Sequence, residues 1–168
     1  MRQIAFLTAL ALTASPLLAA TPAPKVKAQS FEQLAKPLPL PYDESADGAA
    51  AVAKARARAK ASGKLLLVDL GGNWCLDCRI FAGTVALPDV NAWVRRHYEI
   101  VTVDTGRHDK NLSVQTRYGL AEAKAVPNLL IIDPKTDKLV NEGTTIALND
   151  ARSMNPQGLV DYLARYAR

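Results

Sequence analysis

Cys75 and Cys78 are the only cysteines of the chain, and they stand two residues apart in Gly71-Gly72-Asn73-Trp74-Cys75-Leu76-Asp77-Cys78-Arg79. Two thiols at this spacing admit three uses: a redox pair that turns over, part of a metal site, or a structural bond. A bond across so short a loop removes little entropy from the unfolded chain, so a purely structural disulfide would add little stability. A zinc centre takes four ligands, and beyond the cysteines the chain offers only His97 and His108, at spacings unlike a finger or ribbon. Copper(I) held by two thiolates stays open as a metal-handling alternative, but no metal ligand set is assigned. Thiol exchange accounts best for the placement. An apolar run from Leu65 to Leu70 leads through the glycines into Cys75, and residues 76–84 can be helical. Cys75 then lies at a helix N-terminus, where unpaired N–H groups and the helix dipole favour a thiolate. Cys78 lies one turn further on, nearly on the same face. Attack by Cys75 and resolution by Cys78 are the two halves of exchange.

The elements that must position this pair follow from periodicity. Ala51 to Lys64 is rich in Ala, Lys and Arg and predicts a surface helix with a solvated basic side, capped by Ser45 or Asp47 and ended by Gly63. Lys64 to Leu70 is a continuous apolar run that suits a strand buried on both faces. Pro88 opens a further helix in which Val90, Trp93, Val94 and His97 recur at helical spacing. Glu99 to Asp104 alternates and is β-branched, which predicts a strand. A polar loop and a short helix from Asn111 to Tyr118 follow, then a buried strand from Asn128 to Asp133. A turn and a return strand from Leu139 to Gly143 precede a final helix, Pro156 to Arg165, capped by Asn155. The order implies an α/β sandwich with a mixed sheet.

The N-terminus reads differently. Arg2, the apolar run Ile4 to Ala14, Pro16 and the small residues Ala19 and Ala20 have the layout of a secretory signal peptide over residues 1–20, too short to span a bilayer. Residues 21–41 hold Pro22, Pro24, Pro37, Pro39 and Pro41 and predict an extended linker or surface strap. Residues 42–168 suit one domain with one core. The formal charge of +5 in 168 residues does not by itself imply a nucleic-acid partner. An exported chain would meet an oxidising compartment, where disulfides persist.

Leu65-Leu-Leu-Val-Asp-Leu-Gly-Gly-Asn-Trp-Cys-Leu-Asp-Cys78 resembles the active-site strand and turn of thioredoxin-like proteins, which carry Val-Asp-Phe, a short spacer and Trp-Cys-x-x-Cys. The resemblance extends from about Ala49 to Tyr166. Asp69 stands where the family has a buried carboxylate that takes the resolving thiol's proton. Val126-Pro127 stands where it has an X-cis-Pro facing the disulfide, and Tyr118-Gly119 shortly before. The close, with Gly143 and a C-terminal helix, is also similar. The resemblance implies a three-layer thioredoxin-like sandwich with a mixed central sheet. It implies that Cys75 is the nucleophile, Cys78 the resolving thiol, Asp69 the proton acceptor and Pro127 the cis-proline. It also implies that Trp74 and the Val126 backbone contact substrate. A carboxylate at Asp69, amid Leu and Val, is expected to be desolvated with its pKa raised.

Two departures bear on use. Leu76-Asp77 replaces the Gly-Pro of cytosolic thioredoxin. An anion at Asp77 opposes a thiolate at Cys75, with Arg79 expected to offset part of it, so these three residues tune the potential towards a reducing poise. The family's first strand is missing, and the Leu-Pro-Asp-Val at residues 87–90 is familiar from periplasmic domains of transmembrane disulfide reductases and small exported relatives. A longer loop, Leu120 to Val126, brings Glu122 and Lys124 towards the substrate face. The implied function is an exported, monomeric, most naturally bacterial periplasmic thiol–disulfide oxidoreductase that reduces protein disulfides. It would use no bound cofactor beyond its redox-active disulfide, and would be fed by a membrane-bound or soluble thiol electron donor. The alternatives are a disulfide oxidase or isomerase, and a non-enzymatic binding or copper-handling module.

Overall fold

The structure is a computed structural model that describes residues 21–121 and 124–168. The predicted signal peptide and Glu122 therefore lie outside the described residues. Helix α1 (Gly48–Ser62) leads into strand β1 (Leu65–Gly71), helices α2 (Leu76–Val85) and α3 (Pro88–His97), and strand β2 (Tyr98–Asp104). The short helix α4 (Ser113–Thr116), strands β3 (Asn128–Asp133) and β4 (Lys138–Leu139) and helix α5 (Pro156–Ala164) complete the chain. The sheet runs β2-β1-β3-β4, with β1 parallel to β2 and antiparallel to β3, and β3 antiparallel to β4.

Every residue of β1 is buried, because the strand is central and both of its faces are covered. Alternation divides its side chains between two cores. Leu65 and Leu67 join Leu129 and Ile131 against Ile80 and Phe81 of α2, the Val90–Val94 segment of α3 and Leu159 to Leu163 of α5. Leu66, Val68 and Leu70 join Leu130 and Ile132 against Val52, Ala55 and Ala59 of α1 and Val114 of α4. The result is a three-layer α/β sandwich. Asp47 caps α1 by accepting from Ala50 N–H at 3.0 Å, and Gly63 closes it at φ +72°. Among the described residues no helix is long and apolar enough to cross a membrane.

Two elements are shorter than their patterns suggest. The helix expected from Asn111 is confined to Ser113–Thr116. Asn111 instead takes φ +51° and bridges two segments, accepting from Gly48 N–H at 3.0 Å and donating to the Asp104 carbonyl at 2.9 Å. The return strand expected over residues 139–143 has only Lys138–Leu139. Beyond it the Asn141 side chain takes over from backbone pairing, accepting from Ile131 N–H at 2.9 Å and donating to the Leu129 carbonyl at 2.7 Å.

The proline-rich segment is a packed strap, not a free linker. Val26, Leu34 and Leu38 are buried members of the α2/α3/α5 core. Proline has no N–H to give but a good carbonyl to offer, and the domain uses four of them. Trp93 Nε1 donates to Pro22 at 3.0 Å, Gln157 to Pro24 at 3.1 Å, Arg79 to Pro39 at 3.3 Å and Thr102 to Pro41 at 2.8 Å. The core thus begins before residue 42, where the sequence reading starts the domain. Leu34→Ala is expected to lower stability by about 2–5 kcal/mol, as a cavity in a folded core does, seen as a lower urea midpoint; an unchanged midpoint would show a detachable strap.

Candidate active site

Strand β1 ends at Gly71, and the turn Gly72–Trp74 delivers Cys75 to the N-cap of α2. The Cys75 sulfur accepts from Cys78 N–H at 3.2 Å, which is the contact that favours a thiolate there. Cys75 and Cys78 form a disulfide, with Cys78 fully buried and Cys75 5 % exposed. Cys75 Sγ lies 3.7 Å from the Val126 carbonyl oxygen, and the Val126–Pro127 bond is cis. On either side of Cys75, Trp74 and Leu76 are each 43 % exposed, so the one partly reachable sulfur lies between two apolar surfaces.

Trp74 is held in place from a distance. Its Nε1–H donates to the Gly106 carbonyl at 2.7 Å, the Arg107 guanidinium lies 4.4 Å from its ring centroid, and the His108 ring meets it edge-on at 6.1 Å. The polar loop after β2 therefore fixes the face that the tryptophan presents. Lys124 is exposed. His97 lies beside Trp93, its Nδ1 3.2 Å from the Arg168 carbonyl oxygen. Among the described residues no group of three or more His, Cys, Asp or Glu side chains could hold a metal.

Asp69 is 1 % exposed in the middle of β1, two residues before the Gly71 that Cys78 Sγ approaches. Burial pushes its carboxyl up to about 7, while a hydrogen bond from the Tyr42 hydroxyl at 2.9 Å pulls it back down. Tyr42 comes from the end of the strap and is itself buried. Its backbone is tied to the active-site turn, accepting from Asn73 Nδ2 at 2.9 Å and donating to Asn73 Oδ1 at 3.1 Å. Its ring joins Cys75 and Cys78 in a small separate cluster against which Val126 packs. A Cβ at Gly71 would lie 2.4 Å from the Tyr42 hydroxyl and 2.8 Å from Cys78 Sγ, so only glycine lets the phenol this close. Sequence reasoning missed Tyr42, and an isolated aromatic after Leu38-Pro-Leu-Pro41 carries no local signal of such a role.

The expected partner of Asp77 needs correcting. Arg79 does not reach it; its guanidinium donates to the strap carbonyls of Leu38 and Pro39 at 3.0 and 3.3 Å. Asp77 is buried and instead pairs with Arg152 in the 3-10 turn before α5. Arg152 donates from Nε at 3.0 Å, from a terminal nitrogen at 2.5 Å and from its backbone N–H at 2.9 Å. The charge inside the Cys-x-x-Cys is thus met by a forked cation from a remote segment, so it opposes a Cys75 thiolate less than a bare aspartate would.

Comparisons with known proteins agree with this geometry. A family model described as thioredoxin-like matches residues 47–134. The structure is similar to the crystal structure of a disulphide isomerase from Xylella fastidiosa Temecula1, with 34% identity and a TM-score of 0.70 over 76% of this chain and 96% of that one. No curated protein matches significantly in sequence.

Two outcomes are expected. An unfolded aspartate ionises near 3.9, whereas Asp69 in the fold ionises at about 7. Between these values the native state keeps a proton that the unfolded state has lost, so stability falls as pH rises from about 4 to about 7 and levels off above. Asp69→Asn should remove that fall and leave the oxidised protein more stable than wild type at pH 8, on the order of 3–4 kcal/mol, measured by urea unfolding across pH. Arg152→Ala should leave the Asp77 charge uncompensated, destabilise the Cys75 thiolate and make the redox potential more negative, while Asp77→Asn should move it the other way. Equilibration with glutathione buffers reads both signs.

Proposed function

This chain belongs to the thioredoxin-like family and is a thiol–disulfide oxidoreductase, and we propose that it is exported and reduces disulfides of other proteins in the bacterial periplasm. The observation that carries the direction is Asp69. A buried carboxylate that ionises at about 7, joined through the Tyr42 hydroxyl to the cluster that holds both cysteines, opposes a second negative charge on the resolving sulfur. The reduced pair then gains no stabilised thiolate at Cys78, which favours giving its electrons up. The leader-like residues 1–20 support export, and the bacterial relative supports a periplasmic setting.

In the proposed cycle the reduced protein meets a substrate strand along Trp74 and the Val126 backbone. The Cys75 thiolate attacks one sulfur of the substrate disulfide. The Cys75–substrate bond forms, the substrate S–S bond breaks, and the released substrate sulfur takes a proton from solvent. Cys78 then gives its proton to Asp69 and attacks Cys75 Sγ. The Cys75–Cys78 bond forms, the second substrate thiolate leaves, and the Asp69 proton returns to it or to water. The substrate disulfide has gained two electrons and two protons, and the enzyme dithiol has lost them. A thiol donor, membrane-bound or soluble, restores the dithiol, and no bound cofactor enters the cycle. The domain reads as residues 42–168 with its strap.

The relative named a disulphide isomerase favours a second reading, in which the same pair rearranges or introduces disulfides. Redox potential separates the two. A reductase should equilibrate with glutathione below roughly −150 mV, and a value above that, at the strongly oxidising end of the known range, would overturn the reductase reading. Cys78→Ser expressed in the native host should accumulate substrate proteins linked to Cys75, seen as species lost on adding reductant. If nothing is trapped, and the protein binds copper(I) stoichiometrically without reducing insulin, the metal-handling reading replaces this one.

A further inference from the structure

The strap does more than close the core, because it ends in a side chain that packs against both cysteines and bonds the Asp69 carboxylate. Tyr42 is 3% exposed, its ring lies in the cluster with Cys75 and Cys78, and its hydroxyl donates to Asp69 Oδ1 at 2.9 Å. Its position is pinned twice over, by the paired backbone–amide bonds to Asn73 and by the neighbouring Pro41 carbonyl bonded to Thr102. We infer that Tyr42 is a positioning residue for thiol exchange: its O–H holds the Asp69 carboxylate ionised and turned towards Cys78, so that the acceptor is ready when the resolving thiol must lose its proton. Tyr42 acts on the proton acceptor assigned above, so its role rests on that reading.

The surroundings of Asp69 leave this work to the phenol. The cavity it lines is walled by Phe81, Ala82 and Val85 of α2 and Asn91 of α3, none of which carries a charge. Its neighbour across β2 is Thr102, whose hydroxyl is committed to the strap, and its neighbour across β3 is Leu129. Further along β2, Asp104 is buried with Lys110 Nζ 3.6 Å away, and its charge opposes ionisation of the Tyr42 hydroxyl. Burial, then Asp69, then Asp104 all raise the phenol pKa, so the hydroxyl stays a proton donor at every pH of interest. A donor that cannot ionise, aimed at a carboxylate that can, favours the charged form of its partner. Without it nothing offsets the desolvation that drives the carboxyl upward.

Tyr42→Phe keeps the ring and removes only the donor. The full chain, reduced, is mixed with a peptide carrying one intramolecular disulfide, and tryptophan fluorescence follows the single turnover at saturating peptide from pH 5 to 9. Wild type should show an acid limb near the Asp69 pKa. In Tyr42→Phe the limb should move up by about one pH unit, as loss of one hydrogen bond to a charged group requires. The rate at pH 6.5 should fall about tenfold and that at pH 9 should match wild type. In an Asp69→Asn background the same substitution should add nothing. An unmoved limb, an equal loss at every pH, or the same shift without Asp69 would each overturn the assignment. Carbon-13 NMR titration of the Asp69 carboxyl in the oxidised protein needs no turnover. A raised midpoint in Tyr42→Phe supports the coupling even if wild type reduces no peptide, which would instead count against the reductase reading. An unchanged midpoint overturns it.

Discussion

A carboxyl group at the centre of an all-buried strand is the contact on which the rest of the site depends. Asp69 is flanked by Val68 and Leu70, paired on one side with Thr102 and on the other with Leu129, and shut off from water. Burying a charge in such surroundings is costly unless it is partnered or neutralised. The protein does some of each, raising the group until it is half protonated near neutrality and giving it one phenolic donor. A carboxyl that ionises at about 7 is close enough to a thiol in strength for the proton-acceptor role proposed above. The compromise also explains why the segment that brings the phenol is so firmly fastened.

The fastening shows how proline can be structural without being helical or sheet-forming. An extended proline run exposes carbonyls in fixed directions and, lacking N–H groups, needs few acceptors in return. Here Trp93, Gln157, Arg79 and Thr102 supply the donors, one from each of α3, α5, α2 and β2. The strap is therefore gripped by every element on one face of the sheet, and Tyr42 arrives with little freedom left to lose.

Much of the scaffold was legible because its signals are local. The uninterrupted Leu65–Leu70 run, the β-branched stretch before Asp104, the Asp47 and Asn155 caps and Gly63 are each readable within a few residues. The spacing of Cys75 and Cys78 and the position of Asp69 belong to the same class, since a helix start and a strand interior are local facts. What stayed hidden is set by long-range pairing. Tyr42 and Asp69 are 27 residues apart, Trp74 and Gly106 are 32 apart, and Asp77 and Arg152 are 75 apart. Arg79 was the plausible partner of Asp77 by proximity along the chain, but the strap carbonyls and the 3-10 turn assign both differently. Asn141, substituting its amide for a strand backbone, likewise follows no periodicity.

The strap also ties together the two ends of the described chain. Val26 N–H donates to Gln157 Oε1 across 131 residues, and Gln157 donates to Pro24 across 133. The strap is made before these partners, so its anchors form only once α5 has been made. Helix α1 packs on β1 and β2 without help from α5, but closing so large a loop is entropically costly before the sheet exists. The first part of the strap therefore waits for α5, whereas Tyr42 at its other end needs only β1, β2 and the active-site turn.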